Sequence, residues 1–241
     1  PRHLKSVLTS IVFVAWLLGR DPKQRIAVIS HSQALASDLA SKTLQLISSE
    51  FYQRAFPGVR LRDNGRKAMD FVTTDGGGRY AASFETGITG RGFDVIIIDD
   101  PISAHHVKSE KERTNVNENF DNMIASRLDD QINGVMIVVG QRMHEDDLSG
   151  NLLQNGGWKH VCLPLVAEEA ASYALGNSTW HRKASEPLLV NRWPEAIINR
   201  KREEVGESIF AAQYQQNPSA AVGELIRPGQ IKHFDDLPPD E

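Results

Sequence analysis

The sequence has little cysteine, few aromatic residues, no long hydrophobic run and no excess of positive charge. A single cysteine, Cys162, stands among 241 residues. No internal disulfide is therefore available, and a lone thiol of this kind reads most simply as a small buried hydrophobe. The most apolar stretch, residues 7–18, is shorter than the ~20 residues a membrane span requires. Arg2 and Lys5 precede it, as in a secretory signal, but it ends in Gly19-Arg20-Asp21-Pro22 with no small-residue cleavage site. The formal net charge is −4, which excludes a protein that coats nucleic acid by charge alone, because counterion release needs a basic surface. The basic groups at Arg60, Arg62, Arg66 and Lys67, and at Arg200, Lys201 and Arg202, read as solvated faces. His105, His106 and His144 lack the spacing and the fourth ligand of a catalytic zinc.

What remains is a composition 40% hydrophobic and 24% charged, near the average of soluble globular proteins. The length suffices for one substantial domain and a smaller appendage. Lacking an initiator Met, the chain reads as a trimmed fragment. Residues 5–18 read as a buried helix ended by Gly19 and Pro22, followed by a short strand at 25–29. Ser30 or Ser32 is placed to cap a helix running to about 49, with Leu35, Leu39, Leu44, Leu46 and Ile47 on its apolar face. A shorter helix ends near Pro57. Strands at 68–73 and 79–84 flank Asp75-Gly76-Gly77-Gly78, a hairpin signal, and a glycine-bearing loop follows at 86–92. The β-branched run Val95-Ile96-Ile97-Ile98 suits a strand covered on both faces in a parallel sheet, and 135–139 repeats it. A crossover helix over 110–128 joins them, which is the order of an open α/β sheet. A helix at 146–153 and a strand at 159–163 extend the pattern. Residues 173–194 read as irregular, and two short helices follow at 195–205 and 208–215.

Four constellations carry chemistry. Pro1-Arg2-His3-Leu4-Lys5-Ser6 enters a helix, and Lys5, Ser6 and a helix N-terminus are the parts from which a phosphate loop is made. Leu4 stands where that pattern has its second glycine, and a Lys-Ser pair at a helix start is by itself ordinary capping. Second, the strand at 95–98 delivers Asp99 and Asp100 at its C-terminal end, the edge at which open α/β sheets bind ligands. One carboxylate can hold the water shell of Mg²⁺ while its neighbour, pointing the other way, orients or deprotonates an attacking water; Asp-Asp-Pro is also good turn chemistry. Third, Gln141 and Arg142 end another buried strand, either as sensors of a γ-phosphate or as part of a surface loop. Fourth, Arg91 sits on the glycine loop, as an arginine finger or as an exposed loop cation.

Together these motifs resemble the large terminase subunits of tailed bacteriophages and prophages. The likeness rests on residues 1–6, on Thr-Gly-Arg-Gly-Phe-Asp at 89–94, on Ile-Ile-Ile-Asp-Asp-Pro at 96–101 and on Gly-Gln-Arg-Met-His-Glu-Asp-Asp-Leu-Ser-Gly at 140–150. Gly157-Trp158 before Leu163-Pro164, Arg192-Trp193-Pro194 and Phe210-Ala211-Ala212-Gln213-Tyr214-Gln215-Gln216-Asn217-Pro218 extend it across nearly the whole chain.

The resemblance implies an α/β fold with a RecA-like, mainly parallel sheet flanked by helices, of the P-loop NTPase class with an additional strand and a catalytic acid. It implies an N-terminally truncated ATPase domain over 1–165 and a small linker subdomain over 166–241. Walker A would be Arg2, His3, Leu4, Lys5 and Ser6; Walker B would supply Asp99 for the metal and Asp100 as the catalytic carboxylate. Gln141 and Arg142 would form the coupling motif, with Arg91 as a finger candidate. Asp100 replaces the commoner Glu and, one methylene shorter, must approach the water more closely or act through a second one. The strand before the phosphate loop would precede Pro1, and the nuclease domain would follow Glu241. No DNA cleavage is therefore expected, and Asp235, Asp236, Asp240 and Glu241 read as a solvated tail.

The activity implied is hydrolysis of ATP with Mg²⁺, driving double-stranded DNA into a capsid. The partners implied are portal protein, small terminase subunit and a homo-oligomeric ring, in the cytoplasm of an infected or lysogenic host and with no membrane. A degenerate nucleotide-binding or assembly module, suggested by Leu4, and a helicase-like ATPase, which would need a second RecA-like lobe, are the rival readings.

Overall fold

Four apolar strands aligned in parallel place one row of strand tips along one edge of a sheet, and the rest of the larger unit is arranged around that edge. A computed structural model describes residues 3–66, 69–88 and 90–218, and for 63–66 the backbone alone. Two compact units are present. The first comprises the described residues up to Gly140 with Asp146–Trp158; the second comprises Gln141–Glu145 and the described residues from Lys159 onward.

In the first unit the strands are β1 (Arg25–Ser30), β2 (Leu61–Arg66), β3 (Asp70–Thr73), β4 (Gly78–Ser83), β5 (Val95–Asp99) and β6 (Val135–Val139). They form one sheet in the order β2-β3-β4-β1-β5-β6. β4, β1, β5 and β6 run parallel, while β2 and β3 are an antiparallel extension. The result is a mixed α/β unit with a mostly parallel six-stranded sheet flanked by helices. Every residue of β5 is buried, as are Ile26 to Ser30 of β1, as β-branched runs demand when both sheet faces are covered.

The first helix begins with π-helical turns at Val7–Val12 and continues as α1 (Phe13–Arg20). α2 (Gln33–Ser48) starts at Ser32, whose backbone is extended and whose side chain accepts the Leu35 N–H, a capping bond. It buries Ala36, Leu39, Ala40, Thr43 and Ile47, so its packing face is set by small residues as much as by the leucines expected there. Val14, Ala15, Leu18, Ile26, Val28, Ile47, Phe71, Val95 and Ile97 form the core between these helices and the sheet. α3 (Glu50–Ala55) follows α2. Between β5 and β6 the expected single helix stops early: α4 (Glu110–Asn119) gives way to π-helical turns at Phe120–Ile124 and a 3₁₀ turn at Ala125–Arg127. α5 (Leu148–Asn155) is capped by Asp147.

The hairpin joining β3 to β4 matches its turn signal, and Gly77 explains the sequence there. A Cβ at Gly77 would lie 2.3 Å from the backbone carbon of Lys23, so the turn packs directly against the chain entering β1. β2 was not expected from its Leu-Arg-Asp-Asn-Gly-Arg sequence, which lacks strand-forming alternation; it exists by pairing with β3.

The second unit contains an antiparallel hairpin of β7 (Ala171–Leu175) and β8 (Ser178–Arg182) where an irregular segment was expected. Its Gly176, at φ 60, and Asn177 are the two-residue turn such hairpins favour. The strand expected at 159–163 does not form; those residues pair with no ladder among the described residues. α6 (Glu195–Val205) and α7 (Glu207–Ile209), continued by π-helical turns at Phe210–Tyr214, pack Ile198 and Phe210 against Leu165. Among the described residues no helix is long and apolar enough to cross a membrane.

Ile97 is fully buried at the centre of the core, whereas Ile132 is 91% exposed. Ile97→Ala should cost about 2–5 kcal/mol by lost transfer energy and the cavity left behind, and Ile132→Ala should stay within about 0.5 kcal/mol. Urea titration checks both through the midpoint, with the slope unchanged.

Candidate nucleotide site

The parallel strand tips bring together groups far apart in sequence. Ser30 of β1 pairs with Asp99 of β5, and Asp99 pairs with Val139 of β6, so the three strands end at one level. The first helix starts beside this edge. Its ladder opens with the Leu8 N–H on the Leu4 carbonyl, 2.9 Å.

Ser6 is already helical, at φ −59, and makes no capping bond. Its hydroxyl instead donates to Asp99 Oδ1 at 3.1 Å. One turn later the buried Ser10 hydroxyl donates to Asp99 Oδ2 at 2.6 Å. Ordinary capping, the plain reading of the Lys-Ser pair, is therefore not what Ser6 does. Asp99 is fully buried, and desolvation raises its carboxyl above the ordinary 3.8. The Ser10 hydrogen bond opposes that shift, Asp100 reinforces it, and Ser6 and Lys5 oppose it.

Lys5 donates from Nζ to the Gly140 carbonyl at 2.7 Å. Burial lowers its pKa from 10.5, while the charges of Asp100 and then Asp99 hold it up. Both carboxylates thus act on one ammonium. Asp100 has φ 48, in the left-handed region, although it precedes a proline, where extended conformations are preferred. Asp100 Oδ1 comes within 3.8 Å of where a Cβ on Gly140 would stand. Leu4 is also left-handed, at φ 60; a leucine thus holds the turn that glycine adopts without strain. Each such residue costs of order 1–3 kcal/mol.

Two buried or half-buried groups at this sheet carried no sequence signal. His31 follows β1 and contacts the Asp100 carbonyl through both its backbone N–H, 3.2 Å, and its ring Nδ1, 3.0 Å. Arg79 is buried on β4, and its guanidinium nitrogens have no hydrogen-bond partner among the described residues. Burial pushes its pKa down to about 9, with Asp99 opposing. The pairing Arg79↔Ile26↔Val95 puts it on the sheet face that also carries Asp99. A run Gly-Gly-Gly-Arg-Tyr looks like turn exit and gives no hint of this.

The other expected residues lie as follows. His3 is half-buried just before the helix, and Arg2 lies outside the described residues, as does the acidic tail at 235–241. Arg91 is paired with Asp70 at 2.7 Å and lies over the Tyr80 ring at 4.5 Å. Tyr80 pairs with Ala27 and so lies on the face opposite Asp99; within this chain Arg91 is not brought to Lys5. Gln141 and Arg142 belong to the second unit, where the Arg142 N–H donates to Gln216 Oε1 at 3.0 Å. A cleft of about 480 Å³ lies at the opposite strand ends, lined by Phe13, Leu17, Arg25, Asp94 and Val135, and holds none of the expected site residues.

The donor set fits a magnesium ion. Ser6 Oγ and the Asp99 carboxylate are hard oxygen ligands beside a lysine, and Mg²⁺ needs no more than one or two carboxylates when phosphates and waters complete it. No cluster of three His, Cys, Asp or Glu side chains suited to a metal occurs among the described residues, and this mode of binding requires none.

The raised Asp99 carboxyl has a consequence for stability. The native state holds that proton more tightly than the unfolded chain, so stability falls as pH rises from 3.8 toward the native value and stays lower above it. Asp99→Asn should therefore be more stable than the parent near pH 7, by a margin that disappears below about pH 4. Urea midpoints at the two pH values test this, and a lower midpoint for the variant at neutral pH contradicts it.

No protein-family model matches the chain, and no curated protein matches it. Among solved structures it is similar to the large terminase of bacteriophage HK97, at 15% sequence identity and a TM-score of 0.43, over 64% of this chain and 30% of that one.

Proposed function

We propose that the first unit is the ATP-hydrolysing part of a DNA-packaging motor of the large-terminase kind, with a RecA-like arrangement of its parallel strands. The single observation that carries this reading is the turn of the Ser6 hydroxyl onto Asp99, with Lys5 on the neighbouring strand tip. A hydroxyl, an ammonium and two acids at the C-terminal edge of a parallel sheet are the parts that phosphoryl transfer uses.

In this reading Lys5 carries its charge to the β- and γ-phosphates, leaving the Gly140 carbonyl that holds it here. Ser6 and Asp99 hold the magnesium ion, which when bound neutralises charge on the phosphate oxygens. Asp100 orients the attacking water and accepts its proton as the water oxygen bonds to the γ-phosphorus and the bond to the bridging oxygen breaks. Ser10 keeps Asp99 oriented. Gln141 and Arg142 belong to the coupling motif, and Arg91 acts as a finger only on a neighbouring subunit, after releasing Asp70. Double-stranded DNA, portal protein, small terminase subunit and a homo-oligomeric ring in the host cytoplasm complete the proposal.

Leu4 in a left-handed turn favours one competing reading, a nucleotide-binding or assembly module without turnover. Calorimetry with Mg²⁺-ATP and steady-state hydrolysis on the full-length protein separate the two. Lys5→Ala and Asp100→Asn should each lower kcat by about a hundredfold or more, with circular dichroism unchanged. Undiminished turnover in both overturns the assignment, and binding without turnover in the parent favours the assembly module.

A further inference from the structure

His31 stands at the tip of β1, one residue beyond the Ser30↔Asp99 pairing, and meets the backbone of Asp100. A carbonyl oxygen can only accept, so Nδ1 of the His31 ring carries the hydrogen in the 3.0 Å contact. The same oxygen also takes the His31 backbone N–H at 3.2 Å, while the Asp100 N–H donates to Val139 O at 2.8 Å. The peptide groups around a strained residue are thus held from both neighbouring strands. Of these three bonds, the ring contact alone depends on which side chain stands at position 31.

We propose that His31 is a positioning residue for hydrolysis: its imidazole clamps the Asp100 carbonyl and keeps the left-handed turn from which the Asp100 carboxylate projects beside Gly140. A strained φ persists only where its surroundings over-determine it, and the ring supplies one of the three bonds that do so. The inference rests on the reading of Asp100 as the acid that handles the attacking water. The role requires an N–H at the Nδ1 position and no charge, so asparagine, whose Nδ2 occupies that position, is its conservative substitute. Glutamine places its donor one bond further out.

The test uses the full-length protein with His31→Ala, His31→Asn and His31→Gln. Steady-state hydrolysis of Mg²⁺-ATP should show kcat reduced about tenfold in the Ala and Gln variants, the size expected for one lost hydrogen bond, with KM within about twofold. The Asn variant should recover to within about threefold of the parent. Independently of activity, amide hydrogen exchange at Asp100 in nucleotide-free protein should quicken about tenfold in the Ala variant and return to the parental rate in the Asn variant. Parental kcat and parental exchange in the Ala variant overturn the clamp, and so does a raised KM at unchanged kcat, which would mark a nucleotide contact instead. A parent chain with no turnover defeats the reading of Asp100 as the acid, and with it the catalytic consequence, while the exchange measurement still judges the clamp.

Discussion

The first unit depends on a buried carboxylate, Asp99, at the tip of a strand in which every residue is buried. A charge without water around it is costly unless hydrogen bonds and counter-charge meet it. Here the meeting groups come from the first helix: Ser6 and Ser10, one turn apart, each take one carboxylate oxygen, and Lys5 supplies positive charge. These contacts fix the start of the helix to the end of β5 across about ninety positions of chain. They also explain why the core beneath is apolar and closely packed, since Val95 and Ile97 must hold the acid at a fixed height for the two serines to reach it.

The same arrangement carries strain in two places, Leu4 and Asp100. Both flank the proposed phosphate position rather than the structural core. Strain of this kind survives only where neighbouring contacts over-determine it, and it concentrates where geometry serves chemistry rather than stability. Arg79, buried without a hydrogen-bond partner among the described residues on the same sheet face, is a further cost to the fold. The acid and the two left-handed residues together mark this strand edge as a place where the first unit accepts unfavourable local terms.

Much of this was legible in the sequence, and for identifiable reasons. The run Val95 to Ile98 fixed β5 because four consecutive aliphatics suit a two-sided burial, and the hairpin at Asp75 to Gly78 followed from its turn residues. Lys5, Ser6, Asp99 and Asp100 were legible as residue types in order; that the Ser6 hydroxyl turns onto Asp99 and Lys5 onto the Gly140 carbonyl comes from the fold. Ser10 and His31 were not, because a serine inside an apolar helix and a histidine after a strand gain meaning only from what the fold puts opposite them. β2 and β7–β8 were missed for different causes. β2 is polar and owes its existence to a partner strand, while β7–β8 had a Gly-Asn turn that weak flanking patterning obscured. The 110–128 helix was too long because polarity in Glu110 to Asn119 and the apolar turn at Phe120 to Ile124 blur into one period.

The most direct measurement of the central claim is a crystal structure of the full-length protein with Mg²⁺ and a non-hydrolysable ATP analogue. The account predicts that Lys5 Nζ leaves Gly140 for the β- and γ-phosphates and that the ion lies between Ser6 Oγ and Asp99, with Asp100 facing the γ-phosphate. A nucleotide bound elsewhere, with Ser6 and Ser10 still on Asp99 and Lys5 still on the Gly140 carbonyl, would contradict it.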